Sequence, residues 1–436
     1  MTEATAAEAA PSPERKSRRD HGWTAAGVVV LAIVWILAIV HVWRLAKEVQ
    51  YKTFPCDFCS YYSSDLALRS GVDPYTADLP AIERKLGTYS QVAHGTEPPT
   101  QLLLFEPFTY FSLGAGFWVW IALNALALAG SLGLLLGGPR SGLSYQAAWI
   151  LVALAILYTP VYNHFITSQN KLFTLLILAL MMRCMEDRYD GTAGLLLALA
   201  GLTRIFPFVL VGYLLIRRRW RVILYSAAGT LLFGAITVAF IGAANSLSFI
   251  HSIGTSARYW DSDYNTSPVT LVSRVFWHSG YSGPAFNLMR TAAVVIVVVL
   301  VLIITTLVTV RKPIAEDHDW RAFSLWLITA VMLFPSSKRY YLVMLLIPFA
   351  ALAVAAAHRR ASRRAIAMAV VSYLLIRYPG GQARLLGLVG SHIAGVRSVL
   401  WSAAFPLLAA YISSYWLVTD ETRDLNGSAQ FESRSR

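Results

Sequence analysis

Asp57 is the residue of this chain best placed to act as a general base. It lies in the run Pro55-Cys56-Asp57-Phe58-Cys59-Ser60-Tyr61-Tyr62, a few residues beyond the first long apolar segment. A carboxylate held at a bilayer surface can take the proton of a reacting hydroxyl, as a group-transfer reaction requires. Two plainer interpretations stay open at this point: a solvated loop carboxylate, or an N-cap for the helix expected to follow.

Polar and cationic residues recur at the ends of several later apolar segments. Arg204 lies within an apolar run, where a charge is costly, so it should meet an anion or a water-filled cavity. Snorkelling to the bilayer surface, or an ion pair without catalytic meaning, would also account for it. The other members of this set are Asn163, His164, Gln169, Asn170, Lys171, Arg258, Asn265, Ser267, Arg274, Ser336, Ser337, Lys338 and Arg339.

One carboxylate opposed by several cations suits a transfer reaction in which the leaving group is a lipid phosphate. The base accepts the proton of the acceptor hydroxyl, while Arg and Lys stabilise the charge left on the phosphate. We expect Asp57 to face a cavity in the outer leaflet, with Arg204 or another cation across it. This chemistry requires no metal, and we therefore expect no cofactor.

Signatures of other chemistries are short or missing from the sequence. Asp261-Ser262-Asp263 matches the metal clamp of nucleotide-sugar transferases over three residues only, so no metal is assigned to Asp261 and Asp263. The histidines are scattered without the spacing of a metal site, and no P-loop or serine-hydrolase signature is found. Cys56 and Cys59 form a lone C-x-x-C pair that could become a disulfide in an oxidising compartment.

The composition is that of an integral membrane protein. Of the 436 residues, 56% are hydrophobic and only 14% are charged, which excludes a set of water-soluble domains of this length. The formal net charge of +13 gathers in short runs between apolar segments. This distribution indicates cytoplasmic loops beside anionic lipids and does not indicate nucleic-acid binding.

The apolar segments predict an all-α polytopic membrane protein with about twelve transmembrane helices. They lie near 22–44, 115–137, 144–161, 167–184, 191–205, 206–216, 221–242, 286–310, 321–335, 340–357, 364–378 and 398–418. We expect a single transmembrane domain at 21–419 between disordered cytoplasmic tails at 1–20 and 420–436. With the N-terminus inside, alternation also places nearly every basic loop inside.

Two larger polar loops, at about 45–100 and 243–285, then lie on the outer face. This arrangement requires the segment from Pro98 to Leu113 to dip into the membrane without crossing it, and its prolines argue against a regular spanning helix. In the first loop, apolar residues share much of one side of residues 57–69, which predicts a helix lying in the interface.

These residues together resemble glycosyltransferase family 87, the polyprenol-phosphate-mannose-dependent α-mannosyltransferases of bacteria, with the C-type membrane glycosyltransferase fold. The resemblance runs from Asp57 to about Pro348 and rests on the order and spacing of short pieces. They are Asp57-Phe58-x-x-Tyr61-Tyr62, Gly71-x-Asp73-Pro74-Tyr75, Pro98-Pro99 with Pro107, Trp118 to Asn124, Gln169-x-Lys171 to Leu178, Ala193-Gly194, Arg204-x-x-Pro207, Arg217 to Arg221, Asn265-x-Ser267 to Arg274, and Pro335-Ser336-Ser337 to Pro348.

The resemblance implies that Asp57 is the catalytic base. Arg204 stands where the family commonly has Lys, so a cation for the donor phosphate is kept. Lys338-Arg339-Tyr340-Tyr341 stands where the family often has Trp and His, which leaves the acceptor and the sugar open. We expect the donor phosphate to contact Arg204, Lys338, Arg339 and Arg258, and the substrates to contact Tyr61, Tyr62, Gln169, Asn170, Asn265 and Arg274.

The function implied by the resemblance is transfer of a hexose, with mannose in first place, from a polyprenyl-phosphate sugar to a hydroxyl of a lipid-linked or cell-envelope glycan. A β-linked donor gives an α-linked product, so the reaction inverts, on the outer face of the plasma membrane. The expected partners are the donor, a glycolipid or glycan acceptor and membrane lipids; the oligomeric state is not predicted. A transporter or flippase of a lipid-linked glycan is the alternative, and it should carry ionisable residues at mid-membrane on broken helices.

Overall fold

The computed structural model describes residues 25–51, 56–88, 95–137, 141–255, 265–277, 283–311, 320–377 and 404–419. Over these ranges the chain is helical and contains no β-strand. An isolated bridge pairs the backbones of Asn265 and Lys338. The predicted all-α class is confirmed for this part of the chain.

Within the described ranges, α-helices follow one another along the chain. In chain order they are α1 (Ala25–Tyr51), α2 (Cys56–Arg69), α3 (Leu79–Lys85), α4 (Pro99–Phe105), α5 (Leu113–Leu136), α6 (Tyr145–Ile156), α7 (Thr159–Thr167), α8 (Lys171–Glu186), α9 (Asp190–Thr203), α10 (Leu210–Ile216), α11 (Trp220–Ile241), α12 (Ala243–Thr255), α13 (Pro268–Trp277), α14 (Pro284–Val310), α15 (Trp320–Leu333), α16 (Leu346–Ala357), α17 (Arg363–Arg377) and α18 (Ala404–Thr419). Glu106–Tyr110, Phe206–Val209 and Arg339–Leu345 form 3₁₀ helices.

Several helices have the length and apolar composition needed to cross a membrane. Within the described ranges these segments are Ala25–Gln50, Leu113–Leu136, Trp220–Ile241, Pro284–Val310 and Arg339–Ala357, and the bent pair α6 and α7 is a sixth candidate. The apolar helices α9, α15 and α18 are only 14 to 16 residues long, short of the roughly 20 that a straight crossing needs. The structure therefore supports a polytopic membrane protein with five or six such helices, and the predicted number of twelve is not confirmed.

The segment from Pro98 to Leu113 contains no regular spanning helix, as predicted. It forms α4, of seven residues, and a 3₁₀ helix of five residues that contains Pro107. Proline lacks the amide hydrogen that a continuing α-helix would use, so a break here has a local cause.

Helix α2 confirms the predicted helix at 57–69 but not its predicted surface position. Its aromatic residues are buried, as expected, and so are its polar residues Ser60, Ser63, Ser64 and Asp65. Helices α3, α4 and α5 and the 3₁₀ helix Glu106–Tyr110 all pack against it. Small serine side chains allow this close packing. The predicted position of the helix in the membrane interface is not confirmed.

Three interruptions between helices supply most of the polar side chains described below. Helix α7 ends at Thr167 and is followed by Ser168, whose backbone is left-handed (φ 52°), and α8 begins at Lys171. Helix α9 ends at Thr203, and Arg204, which follows it, is extended (φ −154°, ψ 118°). Helix α15 ends two residues before Pro335. The side chains at such breaks are not committed to one helical face and can reach a shared region.

The close contact between α9 and α11 depends on a glycine. A Cβ at Gly194 would lie 2.5 Å from the carbonyl oxygen of Val222. Because lipid gives little hydrophobic drive for helices to associate, close packing of small residues is a main source of such contacts. This contact holds α9 in place and, with it, the position from which Arg204 extends.

Candidate active site

Asp57 lies in the first turn of α2 and is partly buried. Its Oδ2 accepts a hydrogen bond from Nε2 of Gln169. Since α2 begins at Cys56, Asp57 is inside the helix rather than at its N-cap, and its bond to Gln169 shows that it is not a freely solvated loop carboxylate. Both plainer interpretations of Asp57 are wrong.

Gln169 joins this carboxylate to a lysine. Its Oε1 accepts hydrogen bonds from Lys171 Nζ at 2.8 Å and from the Tyr61 hydroxyl at 3.1 Å. Because both partners donate to the amide oxygen, the amide nitrogen is the end that faces Asp57. Asp57, Tyr61, Gln169 and Lys171 therefore form one hydrogen-bonded network.

Asn170 extends the network to Arg204. Its Oδ1 accepts hydrogen bonds from Lys171 Nζ at 2.7 Å and from Arg204 Nη2 at 2.6 Å. Arg204 also forms an ion pair with Glu97. Only 7% of Arg204 is exposed, so it does not snorkel to solvent. It forms an ion pair, as one alternative interpretation proposed. It is also connected to Asp57 through the hydrogen bonds of the network.

The positive charge of Lys338 acts on Asp57 and opposes the rise in the pKa of that carboxyl. The backbone of Lys338 is paired with Asn265, which donates from Nδ2 to the carbonyl oxygen of Pro335. Asn265 Oδ1 accepts a hydrogen bond from the amide of Ser267 at 3.1 Å. Asn265 thus holds the backbone that carries Lys338. The predicted contact of Asn265 with a substrate stays a prediction.

Two tyrosines form a wall beside Lys171. The Lys171 ammonium lies 5.2 Å from the ring centroid of Tyr340 and 4.8 Å from that of Tyr341. An ammonium close to the face of an aromatic ring is stabilised by the ring quadrupole. The stretch Lys338-Arg339-Tyr340-Tyr341 therefore contributes one cation near Asp57 and two rings near Lys171.

The turn that carries Gln169 and Asn170 is held by its neighbours. Trp120 Nε1 donates to the carbonyl oxygen of Ser168 at 3.0 Å, and His164 Nε2 accepts from the amide of Leu172 at 3.2 Å. Trp120 also belongs to an aromatic cluster that anchors α2, together with Phe58 and Phe105. The same cluster therefore positions both Asp57 and its hydrogen-bond donor.

The pKa of Asp57 is raised above its ordinary value because burial disfavours the charged carboxylate. The positive charges of Lys338 and Lys171 and the hydrogen bond from Gln169 act in the opposite direction, and Glu97 adds to the rise. A general base works best when its pKa lies near the operating pH. This environment moves the carboxylate in that direction.

The network together with Lys338 contains more basic than acidic side chains. Asp57 and Glu97 are set against Lys171, Arg204 and Lys338. Guanidinium and ammonium groups gathered in a low-dielectric region bind phosphate oxygens strongly. The arrangement can therefore hold an anionic group near the carboxylate.

The structure gathers six of the predicted site residues at this network: Asp57, Tyr61, Gln169, Asn170, Arg204 and Lys338. Tyr62 is apart from it and donates to the carbonyl oxygen of Phe111 at 2.9 Å, so it supports the segment before α5. Arg339 begins the 3₁₀ helix Arg339–Leu345 and is partly buried. Arg258 and the side chain of Arg274 lie outside the described residues.

The described residues include only some of those named in the predictions about a disulfide and a metal site. Cys59 carries a thiol rather than a disulfide, and its sulfur accepts a hydrogen bond from Thr88 at 2.9 Å. Across the described ranges, no group of three or more His, Cys, Asp or Glu residues could hold a metal ion. Asp261 and Asp263 lie outside those ranges. The expectation that neither metal nor cofactor is needed stays a prediction.

Glu97 is a site residue that sequence reasoning missed. It precedes Pro98-Pro99, and the turn that contains it is held by the Tyr75 hydroxyl, which donates to the Glu97 carbonyl oxygen at 2.9 Å. In the sequence, Glu97 is only a lone carboxylate just before a helix that begins at a proline. This pattern does not reveal that Arg204 will be its partner.

The chain matches a known protein family. The sequence model of glycosyltransferase family 87 matches residues 96–337, more than half of the chain. The chain belongs to glycosyltransferase family 87. In this family 87 protein the matched region contains Glu97, the Gln169 to Lys171 turn and Arg204, whereas Asp57 precedes it and Lys338 follows it.

One relative among well-characterised proteins has a named activity. The Alpha-(1->3)-arabinofuranosyltransferase of Corynebacterium glutamicum is 28% identical to this chain over 183 residues. The similarity covers 39% of this chain and 43% of that relative, so it spans less than half of the relative's length. The predicted family is confirmed by these comparisons, and the predicted mannose specificity is not.

Proposed function

We propose that this protein transfers a sugar from a polyprenyl-phosphate donor to a hydroxyl group of a lipid-linked or cell-envelope glycan. The observation that carries the proposal is the network in which Gln169 links Asp57 to Lys171, and Asn170 links Lys171 to Arg204. A carboxylate and basic side chains held together supply both a base and a place for a phosphate.

In the proposed reaction Asp57 accepts the proton of the acceptor hydroxyl while the hydroxyl oxygen bonds to the anomeric carbon of the donor. The bond between that carbon and the phosphate oxygen breaks, and its electron pair leaves with the lipid phosphate. Lys338, Lys171 and Arg204 stabilise the resulting anion. Because the acceptor arrives opposite the leaving phosphate, a β-linked donor yields an α-linked product.

The size of the base contribution can be bounded. General base catalysis by a positioned side chain contributes about 10²–10⁴ in rate. Stabilisation of the departing phosphate by preorganised cations then supplies much of the remaining acceleration. Both parts depend on Gln169, since it orients Asp57 and contacts Lys171 at the same time.

The sugar has two candidates. The resemblance of the sequence to mannosyltransferases supports a hexose, with mannose first. The named activity of the Corynebacterium glutamicum relative supports an arabinofuranose as the second candidate. Both sugars present an anomeric carbon bonded to phosphate, so the base and the cations would serve either one.

We further propose that both termini are cytoplasmic and that the site faces the exterior of the plasma membrane. The basic loops support this orientation through the positive-inside rule. Ser70, after α2, and Tyr189, before α9, are both exposed and lie on opposite predicted sides. A membrane-impermeant maleimide should label Ser70→Cys in intact cells and label Tyr189→Cys only after permeabilisation. Labelling in the reverse order would overturn the orientation.

The transfer itself is tested with purified protein in lipid bilayers. Polyprenyl-phosphate mannose and polyprenyl-phosphate arabinofuranose are each supplied with glycolipid acceptors, and products are analysed for sugar and anomeric configuration. We expect an α-linked product from one donor and its loss in Asp57→Asn. If no donor gives product while the protein moves a lipid-linked glycan across the bilayer, the transporter alternative replaces this proposal.

A further inference from the structure

A cavity of about 270 Å³ lies directly beside the network. Its walls come from α4, the 3₁₀ helix Glu106–Tyr110, α5 and α8, with Thr203 at the end of α9. Asn170 is one of the lining residues and is also the residue that binds both Lys171 and Arg204. One end of the cavity therefore lies at the cations.

The wall of the cavity contains a buried amide with unused hydrogen-bonding capacity. Gln101, on α4, lines the cavity and is only 4% exposed. Neither its amide oxygen nor its amide nitrogen has a hydrogen-bond partner among the described residues. Buried amides are nearly always paired, so an unpaired one that lines a cavity indicates a ligand group.

The other end of the cavity is apolar and reaches the surface of the helices. Leu104 on α4 and Leu123 on α5 both line it, and they are 52% and 37% exposed. In a membrane protein, exposed leucines on such helices contact lipid chains. Between the two ends the walls are largely aromatic, with Phe105, Phe108, Trp120 and Phe173.

We propose that this cavity holds the first isoprene units of the donor lipid and that Gln101 hydrogen-bonds to its phosphate. This inference rests on the proposed function. The phosphate lies at Arg204 and Lys171, and the chain passes Asn170 and leaves between Leu104 and Leu123 into the bilayer. Ligand sites of this kind combine mostly apolar walls with a few placed polar groups. Aromatic rings suit a flat, unsaturated hydrocarbon chain.

The cavity is tested by filling it and comparing two donors. One donor carries the sugar phosphate on two isoprene units, and the other carries the same sugar phosphate on an ethyl group. Leu123→Trp projects into the cavity, whereas Leu126→Trp places the same ring on the same helix at a side chain that is 66% exposed and does not line the cavity. Leu123→Trp should reduce the KM advantage of the isoprenoid donor about tenfold, the size expected when a few buried methylene groups are lost. Leu126→Trp should leave it unchanged.

Gln101→Leu tests the polar end. Since the amide has no hydrogen-bond partner among the described residues, the variant should retain or raise the melting temperature of the protein. Its KM for the isoprenoid and ethyl donors should rise by a similar factor, because both carry the phosphate. An unchanged KM would remove Gln101 from the site.

A measurement that does not need turnover separates this inference from the proposed function. A prenyl phosphate with a diazirine on its first isoprene unit should label peptides of α4, α5 and α8, and Leu123→Trp should reduce the labelling. Absence of transfer with labelling of these helices would overturn the proposed function and leave the lipid site. Transfer with an unchanged donor preference in Leu123→Trp and labelling elsewhere would overturn the cavity alone.

Discussion

Asp57 and Asp65 lie on the same helix, α2, in environments that differ sharply. Asp57 accepts a hydrogen bond from Gln169 and has basic side chains nearby. Asp65 is 0% exposed, and neither of its oxygens has a hydrogen-bond partner among the described residues. Burial raises the pKa of both carboxyls, and Glu106 raises that of Asp65 further, but only at Asp57 do cations oppose the rise.

Burial alone therefore does not make a carboxyl group a general base. A buried carboxyl without donors or cations is held as the neutral acid. A buried carboxyl group that has an amide donor and a lysine close by can be ionised, and the ionised form can accept a proton. The proposed function therefore assigns the base to the first turn of α2, around Asp57, and not to the region around Asp65.

The largest expected effect comes from the same substitution at both carboxyls. Asp57→Asn should lower kcat about 10²–10⁴-fold, because it removes the base. Asp65→Asn should leave kcat unchanged, because an amide replaces a neutral carboxyl of the same shape. Turnover is measured in bilayers with equal amounts of folded protein. Equal loss in both variants would erase the distinction between the two regions.

A second variant makes another carboxylate resemble Asp65. Arg204→Gln should leave Glu97 without its cation and destabilise the protein by about 3–5 kcal/mol, as for a broken buried ion pair. The double variant Arg204→Gln with Glu97→Gln should recover part of this stability while turnover stays low. Thermal unfolding in detergent measures the stability, and a double variant no more stable than the single one would contradict the pairing.

Gln169→Leu should reduce the difference between the environments of Asp57 and Asp65 by a smaller amount. The loss of the donor to ionised Asp57 should raise the pKa of that carboxyl further, so the acid limb of the kcat/KM profile should move to higher pH. At neutral pH the rate should fall about tenfold, since hydrogen bonds to charged groups contribute about 1.5–3 kcal/mol. Tyr62→Phe is the matched control, because Tyr62 bonds to Phe111 instead. Its pH profile should coincide with that of the wild type.

The smallest effect concerns how stability depends on pH. Because the pKa of Asp65 is raised in the folded protein, the fold binds the proton more tightly than the unfolded chain, whose Asp titrates near about 3.9. The stability that protonated Asp65 contributes is fully present below that pH, and it is lost as the pH rises through the pKa of Asp65 in the folded protein. Asp65→Asn should flatten this decline in melting temperature. A decline that persists unchanged would assign it to other groups.

Local signals were enough to find part of the site. Asp57 and Arg204 stand out because each is a charge in or beside an apolar run, where charges are rare. Gln169 and Asn170 precede an apolar helix, and Lys338 follows Pro335, so helix breaks marked them too. Glu97 and the supporting role of Tyr62 were missed, since both depend on a partner that is distant in sequence.

The sequence by itself determined the membrane class, the helical class and the candidate base, because run length, composition and the position of a charge are local properties of the chain. The predicted number of complete spans is not confirmed, since short apolar helices such as α9 and α15 resemble spans in a hydropathy pattern. Only the tertiary structure decided that Gln169, 112 residues from Asp57, donates to it. That contact exists because the aromatic cluster around Trp120 packs α2 against the turn before α8, and packing between distant segments has no local signature.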